Sequence, residues 1–143
     1  MPITVFIADD HAIVREGLAN LLAAQPDFEI VGTAANGREA LAQVLRLKPQ
    51  VVILDISMPE LDGIETTRQI LDEAPDAAVV ILSMHSSAQH VFHALDAGAR
   101  GYLLKESAGR EIIDAVRMVH AGRRYLSPKA AESWPTVSAI AAV

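Results

Sequence analysis

The sequence predicts an alternating α/β chain, with five βα units forming a doubly wound parallel sheet of strand order 2-1-3-4-5. Three observations carry that expectation. Short runs of branched apolar residues alternate with amphipathic stretches of helical period, so successive strands are joined by helical crossovers and run parallel. The run Val51-Val52-Ile53-Leu54 is apolar at every position, as a strand buried on both faces must be, and it ends abruptly on Asp55. The 143 residues suffice for five such units and fall far short of the roughly 250 that an eight-unit barrel needs.

Taken in order, Ile3 to Ala8 is the first strand and stops at Asp9-Asp10. Ile13/Val14, Gly17/Leu18 and Leu21/Leu22 then repeat with helical spacing until Pro26. Phe28 to Ala34 reads as the second strand. Asn36 with Glu39 three residues on is a capping-box-like start for a helix bearing Ala40/Leu41 and Val44/Leu45, closed by Pro49. The strand ending at Asp55 follows, then a helix capped by Asp62 with Glu65, its inner face formed by Ile64, Thr67 and Leu71. Ala78 to Leu82 is the fourth strand, and Ser86 with Gln89 opens a helix carrying Val91/Phe92 and Leu95 to Gly98. Arg100 to Leu104 is the fifth strand. Ser107 opens the last helix, with Ile112/Ile113, Val116 and Val119 inward and Gly122 at its end. The size and order are those of a flavodoxin-like fold.

Composition narrows the function classes. Apolar residues make up 51% of the chain and charged residues 21%, which suits one compact domain rather than disorder. With 12 basic and 18 acidic residues the formal net charge is −6, a poor match to nucleic acid or an anionic membrane. There is no cysteine, which excludes disulfides, thiolate metal sites and cysteine nucleophiles. The N-terminus lacks a basic n-region, so no signal peptide is expected. No apolar run approaches the roughly 20 residues of a membrane span. A cytoplasmic protein without membrane association is the expectation.

The residues just past the strand ends all face one edge of the sheet, where open α/β sheets bind ligands. They are Asp9, Asp10 and His11, then Asp55 to Ser57, then Ser83 to His85, then Lys105 and Glu106. Strands 1 and 3 are neighbours in the expected order, so Asp9, Asp10 and Asp55 should converge. Two carboxylates about 4 Å apart repel by on the order of 4 kcal/mol at an effective dielectric near 20. Such a cluster implies a shared proton or a bound cation. All-oxygen ligands in an open cleft suit Mg²⁺, while the Ser83 hydroxyl and Lys105 ammonium can hold anionic oxygens.

This constellation resembles the receiver domain of two-component response regulators. The resemblance rests on Asp9-Asp10, on Asp55-Ile-Ser-Met-Pro-Glu-Leu-Asp-Gly63, on Ser83 and on Lys105, all in register, and covers roughly residues 3 to 120. Leu82-Ser83-Met84-His85, Gly101-Tyr102-Leu103-Leu104-Lys105-Glu106 and Tyr125-Leu126-Ser127-Pro128 are similar to the branch with a LuxR/NarL/FixJ-type helix-turn-helix. The resemblance implies that Asp55 accepts a phosphoryl group from a sensor histidine kinase. It implies Mg²⁺ held by Asp10, Asp55 and the Ser57 backbone carbonyl, with Asp9 assisting through water. Lys105, Ser83 and the backbone of Met84 would bind the phosphoryl oxygens, and Tyr102 would turn inward as Ser83 moves. A homodimer would follow phosphorylation, through helices 1 and 5 or through helix 4 and strand 5. DNA would be bound only through a C-terminal domain.

Several residues have plainer readings. Asp62 is a helix cap, with Gly63 allowing the tight turn, and Glu106 is a solvated surface charge. His90 and His93 share a helix face near His85, but without a further ligand of fixed spacing they make no metal site. His11 lines the acidic pocket rather than accepting phosphate. Glu106 stands where many receivers have proline, so no cis bond is expected after Lys105. A flavodoxin-like cofactor carrier is the alternative from another class, as is a stand-alone signalling module without DNA output. The first needs a phosphate-cradling Gly/Ser/Thr loop after strand 1, where this chain places two carboxylates. A Mg²⁺-dependent phosphohydrolase would need a second acid/base within two residues of Asp55, where Ile56 and Ser57 stand.

The expected division is a receiver over residues 1–121 and a linker or tail over 122–143. That tail has neither the length nor the basic and amide side chains of a helix-turn-helix output domain. Arg123-Arg124 is a modest basic spot, no DNA-binding residue is assigned, and Trp134 either packs on the body or ends a frayed linker.

Overall fold

The computed structural model describes residues 2–141; the outermost positions of the two expected segments, Met1, Ala142 and Val143, lie outside it. Strands β1 (Ile3–Ala8), β2 (Phe28–Ala34), β3 (Val51–Asp55), β4 (Ala78–Ser83) and β5 (Gly101–Leu104) alternate with α1 (Ala12–Ala23), α2 (Gly37–Leu47), α3 (Gly63–Glu73), α4 (Ala88–Asp96) and α5 (Ala108–His120). Every strand pair is parallel, and the order β2-β1-β3-β4-β5 is the expected one.

The sheet is six-stranded rather than five-stranded. Past α5 the chain adds β6 (Tyr125–Leu126), paired parallel with Gly101 and Tyr102 on the outer edge of β5. Two helices follow, α6 (Pro128–Ala131) and α7 (Trp134–Ala141). A strand of two residues carries no alternation of side chains, which is why the sequence pattern read this stretch as linker.

Residue alternation along each strand splits the apolar residues between two layers. Phe6, Val52, Leu54, Val79, Ile81 and Tyr102 pack against α2, α3 and α4, together with Ala130 and Val137 from the added segment. Val5, Ile7, Val51, Ile53, Val80 and Leu103 pack against α1 and α5. Val51 to Leu54 are all fully buried, so β3 is a rigid mount whose C-terminal end is Asp55, itself buried.

The helix starts follow local chemistry. Asn36 Oδ1 accepts from the Glu39 amide at 2.8 Å and Asp62 Oδ1 from the Glu65 amide at 2.9 Å, the two expected caps. Helix α4 begins one residue later than expected. Ser87 is the cap position, and its hydroxyl engages His90 Nδ1 at 2.6 Å instead of a helix amide. Ser107 likewise flanks α5 without capping an amide.

Gly63 has a steric reason beyond its turn. A Cβ there would collide with the backbone carbonyl oxygen of Asp55, because α3 starts directly beneath the end of β3. Gly63→Ala is therefore expected to cost about 2 kcal/mol in urea unfolding, since neither backbone can yield without moving Asp55. An alanine variant as stable as the parent would show that this approach is soft.

Candidate functional site

The strand register builds the site. Ala8 lies beside Leu54, so Asp9 and Asp55 leave adjacent strand ends together. On the far side Asp55 aligns with Leu82, and Ser83 aligns with Leu104, just before Lys105. Suitable ligand atoms of Asp9, Asp10, His11 and Asp55 all lie within 4.8 Å of one another, the one such cluster among the described residues.

Burial separates these carboxylates. Asp9 and Asp55 are buried, whereas the Asp10 side chain is one-third exposed. Lys105 Nζ bonds Asp55 Oδ2 at 2.9 Å and stands 3.2 Å from Asp9 Oδ2. Close as it is, that second pair is not aligned as a hydrogen bond. Among the described residues Asp9 Oδ2 therefore accepts none, although it is shut off from solvent. Asp55 Oδ1 accepts the Ser57 amide at 3.2 Å. Burial above all, opposed by the Lys105 hydrogen bond and reinforced by the charge of Asp9, pushes the Asp55 carboxyl up to about 6. On Lys105 burial is the largest influence and opposes the charge. The hydrogen bond it donates to Asp55 and the charges of both carboxylates outweigh it, so the ammonium is held above the ordinary lysine value.

His11 sits where expected, against the acidic pocket. Its Nδ1 is 3.2 Å from Asp9 Oδ1 and 3.1 Å from Asp10 Oδ1, so the ring lies against both carboxylates. Lys105 Nζ reaches the same nitrogen from the other side at 3.4 Å. Arg15, one helical turn on, had no signal beyond that spacing; it donates to the Asp9 backbone carbonyl at 2.6 Å and fixes the β1–α1 turn.

Ser83 is fully buried at the end of β4, and its Oγ accepts the His85 amide at 3.0 Å. Tyr102 is fully buried as well and donates to the His85 carbonyl at 2.6 Å. Burial raises its hydroxyl pKa. The aromatic expected to turn inward is thus already inside. Met84 is 79% exposed and, with His11, Val14, Leu104, Lys105 and Glu106, lines a cleft of about 440 Å³ beside the carboxylates. Ser57 is exposed, next but one to Asp55.

The donor set fits a hard divalent cation. Its carboxylate oxygens include one buried oxygen with no hydrogen bond, and only one ammonium offsets the buried pair. Mg²⁺, which tolerates retained waters, suits such an open, oxygen-rich cleft better than a metal that prefers nitrogen.

Residues 5–117 match the family described as response regulator receiver domain. The transcriptional regulatory protein DegU of Brevibacillus brevis is 41% identical over 127 residues, covering 89% of this chain and 54% of DegU. The oxygen regulatory protein NreC of Staphylococcus carnosus (strain TM300) is 43% identical over 126 residues, covering 87% of this chain and 58% of NreC. The chain thus spans little more than half the length of these curated relatives. The crystal structure of a LuxR-family two-component response regulator from Aurantimonas sp. SI85-9A1 superposes with a TM-score of 0.88 at 34% identity, covering 93% of this chain and 95% of that one.

Proposed function

The chain belongs to the response regulator receiver family of two-component systems, in its LuxR/NarL branch, and from that premise we propose that Asp55 is the phosphoacceptor of a Mg²⁺-dependent switch. The observation that carries the reading is the Asp55 carboxylate, buried at the end of β3 and paired with Lys105 at 2.9 Å.

An Asp55 oxygen attacks the phosphorus of a phosphohistidine on a sensor kinase. The phosphorus–nitrogen bond breaks, the imidazole leaves with a proton from solvent, and an aspartyl phosphate remains. Lys105 transfers its hydrogen bond from Asp55 Oδ2 to a phosphoryl oxygen. The Ser83 hydroxyl donates to a second oxygen, and the Met84 backbone amide supports a third. Asp10, Asp55 and the Ser57 carbonyl would hold Mg²⁺, with Asp9 assisting through water. When bound, the ion neutralises charge on the phosphoryl group and orients it for in-line transfer. Buried Asp9 supplies negative charge at a fixed position beside Asp55 and Lys105.

The receiver unit is assigned to residues 1–121 and the segment 122–143 to the route toward an output domain. Phosphorylation then favours a homodimer and, in a longer protein like its relatives, DNA binding by that further domain. The chain promotes its own phosphorylation and dephosphorylation rather than turning over a substrate. A cytoplasmic setting agrees with the absence, among the described residues, of any helix long and apolar enough to cross a membrane.

Intact mass after incubation with Mg²⁺ and acetyl phosphate tests the reading. One added phosphoryl group, lost on hydroxylamine treatment, is expected; no adduct in the presence of Mg²⁺ overturns the assignment. Mg²⁺ alone is also expected to stabilise the fold, by about 2.7 kcal/mol at a hundred times its Kd. Chemical unfolding with Mg²⁺ against EDTA measures this, and equal midpoints would remove the ion from the site.

A further inference from the structure

The segment after α5 is anchored on the same elements that surround Ser83 and Tyr102. The Ser127 amide donates to the Tyr102 carbonyl at 2.9 Å, and Ser127 Oγ accepts the Leu104 amide at 3.0 Å. That hydroxyl donates in turn to Glu111 Oε2 at 3.3 Å, while the Tyr125 hydroxyl donates to Glu111 Oε1 at 2.9 Å. Ser127 and Ala130 are fully buried, and Val137 of α7 is 2% exposed in the layer that contains Tyr102, Val91 and Ala94. Buried polar groups satisfied in this way belong to a docked segment, not to a frayed linker.

One contact goes further. The β4–α4 connection begins at Ser83 and carries two consecutive carbonyls held from different directions. Tyr102 donates to the His85 carbonyl at 2.6 Å, and Ser133 Oγ, from the segment joining α6 to α7, donates to the Ser86 carbonyl at 2.7 Å. The connection between the phosphoryl-facing hydroxyl and α4 is therefore clasped by the switch tyrosine and by the C-terminal segment together.

From this double clasp we propose that residues 125–141 are a docked regulatory strap, with Ser133 as its latch, that holds Tyr102 in its buried position and so favours phosphorylation of Asp55. The proposal rests on the phosphoacceptor reading above. Two groups gripping one short loop select the same loop conformation. Whatever biases one contact biases the other, and the coupling is reciprocal. Strap docking then raises the affinity of the site for a phosphoryl group, and phosphorylation tightens strap docking by the same factor. A second consequence is geometric. The β5 edge and much of the α4 face are occupied by the chain's own residues, so a partner using that face must first lift the strap. A homodimer formed with the strap in place is left with α1 and α5.

The test compares the 143-residue parent with Ser133→Ala, which removes the latch alone, and Val137→Asp, which lifts α7 from the core. Beryllofluoride with Mg²⁺ serves as the phosphoryl mimic, and 3-fluorotyrosine resonances report the two tyrosines, Tyr125→Phe assigning them. Ser133→Ala is expected to weaken beryllofluoride about fivefold, the worth of one hydrogen bond, and Val137→Asp more. In both variants the Tyr102 resonance moves toward its exposed position before any ligand is added. In the parent, beryllofluoride slows amide exchange at Ser127 and Val137. Unchanged beryllofluoride affinity in both variants, with Tyr102 still buried, overturns the strap. A parent that binds no beryllofluoride overturns the phosphoacceptor reading instead, while the Tyr102 resonance still reports whether the strap holds the ring.

Discussion

Asp55→Asn is expected to abolish phosphoryl incorporation from acetyl phosphate while making the metal-free protein more stable at neutral pH. The first effect follows from chemistry. An amide oxygen is a poor nucleophile and leaves no stable acyl phosphate, so incorporation should fall below detection in intact-mass measurements. The second follows from burial. The folded-state carboxyl is pushed up to about 6 from an ordinary 3.8, because leaving water beside Asp9 penalises its charge. A carboxyl raised in this way contributes most when protonated. Its contribution is complete below about 3.8 and is lost as the pH rises through about 6. At pH 7 the parent therefore carries a charge that the fold resists, and the amide removes a penalty on the order of 2 kcal/mol. Urea unfolding in EDTA between pH 4 and 8 measures the difference between the two proteins. The advantage of asparagine should be small near pH 4 and full by pH 7. An advantage independent of pH would mean that packing, not charge, separates them. Incorporation of phosphate into the variant would move the acceptor elsewhere.

The Asp55 carboxyl, whose charge burial disfavours, sits in the one cluster of possible metal-ligating side chains among the described residues, the kind of position where binding and reacting groups gather. The same tension accounts for how much of this site could be seen in the sequence. Asp9, Asp55, Ser83 and Lys105 each end an apolar run, and once the strand order is fixed by parallel crossovers their meeting follows. The caps Asn36 and Asp62 are equally local, depending on residues three apart. What the sequence hid depends on geometry that residue spacing alone does not carry. His11 bridging Asp9 and Asp10, and Arg15 gripping the Asp9 carbonyl, are set by the angle at which α1 leaves β1. The sixth strand hides best. Tyr125 and Leu126 pair through backbone groups with Gly101 and Tyr102, and the Tyr125 hydroxyl is held by Glu111, 14 residues back. Tyr102 was legible as a strand aromatic, but its orientation depends on a loop carbonyl and on the segment packed over it.

Lys105→Ala is the second substitution with a large expected effect, and its signature is rescue by the cation. Lys105 is 14% exposed at its side chain and, among the described residues, is the one ammonium within ion-pair distance of both Asp9 and Asp55. Removing one member of a buried pair leaves the other uncompensated, at a cost of up to 3–5 kcal/mol where no relaxation occurs. Here protonation of Asp55 offers relief, since its carboxyl already titrates near 6 and must rise further without the ammonium. The loss in EDTA is therefore expected to be about 2 kcal/mol at pH 7.5 and much smaller at pH 5.5. Lysine titration plays no part across that window. Its folded value is raised, so its contribution is complete below about 10.5 and is lost only above it. Mg²⁺ supplies positive charge to the same carboxylates, so saturating Mg²⁺ should recover most of the stability. It should not recover phosphorylation, because the variant lacks the donor that follows the phosphoryl oxygen; a loss of roughly 10²-fold in rate is expected. A stability deficit that persists unchanged in Mg²⁺ and at pH 5.5 would assign Lys105 a packing role through its aliphatic stem. Recovery of stability without recovery of rate separates the two duties of this side chain: holding the empty site together and receiving the phosphoryl group.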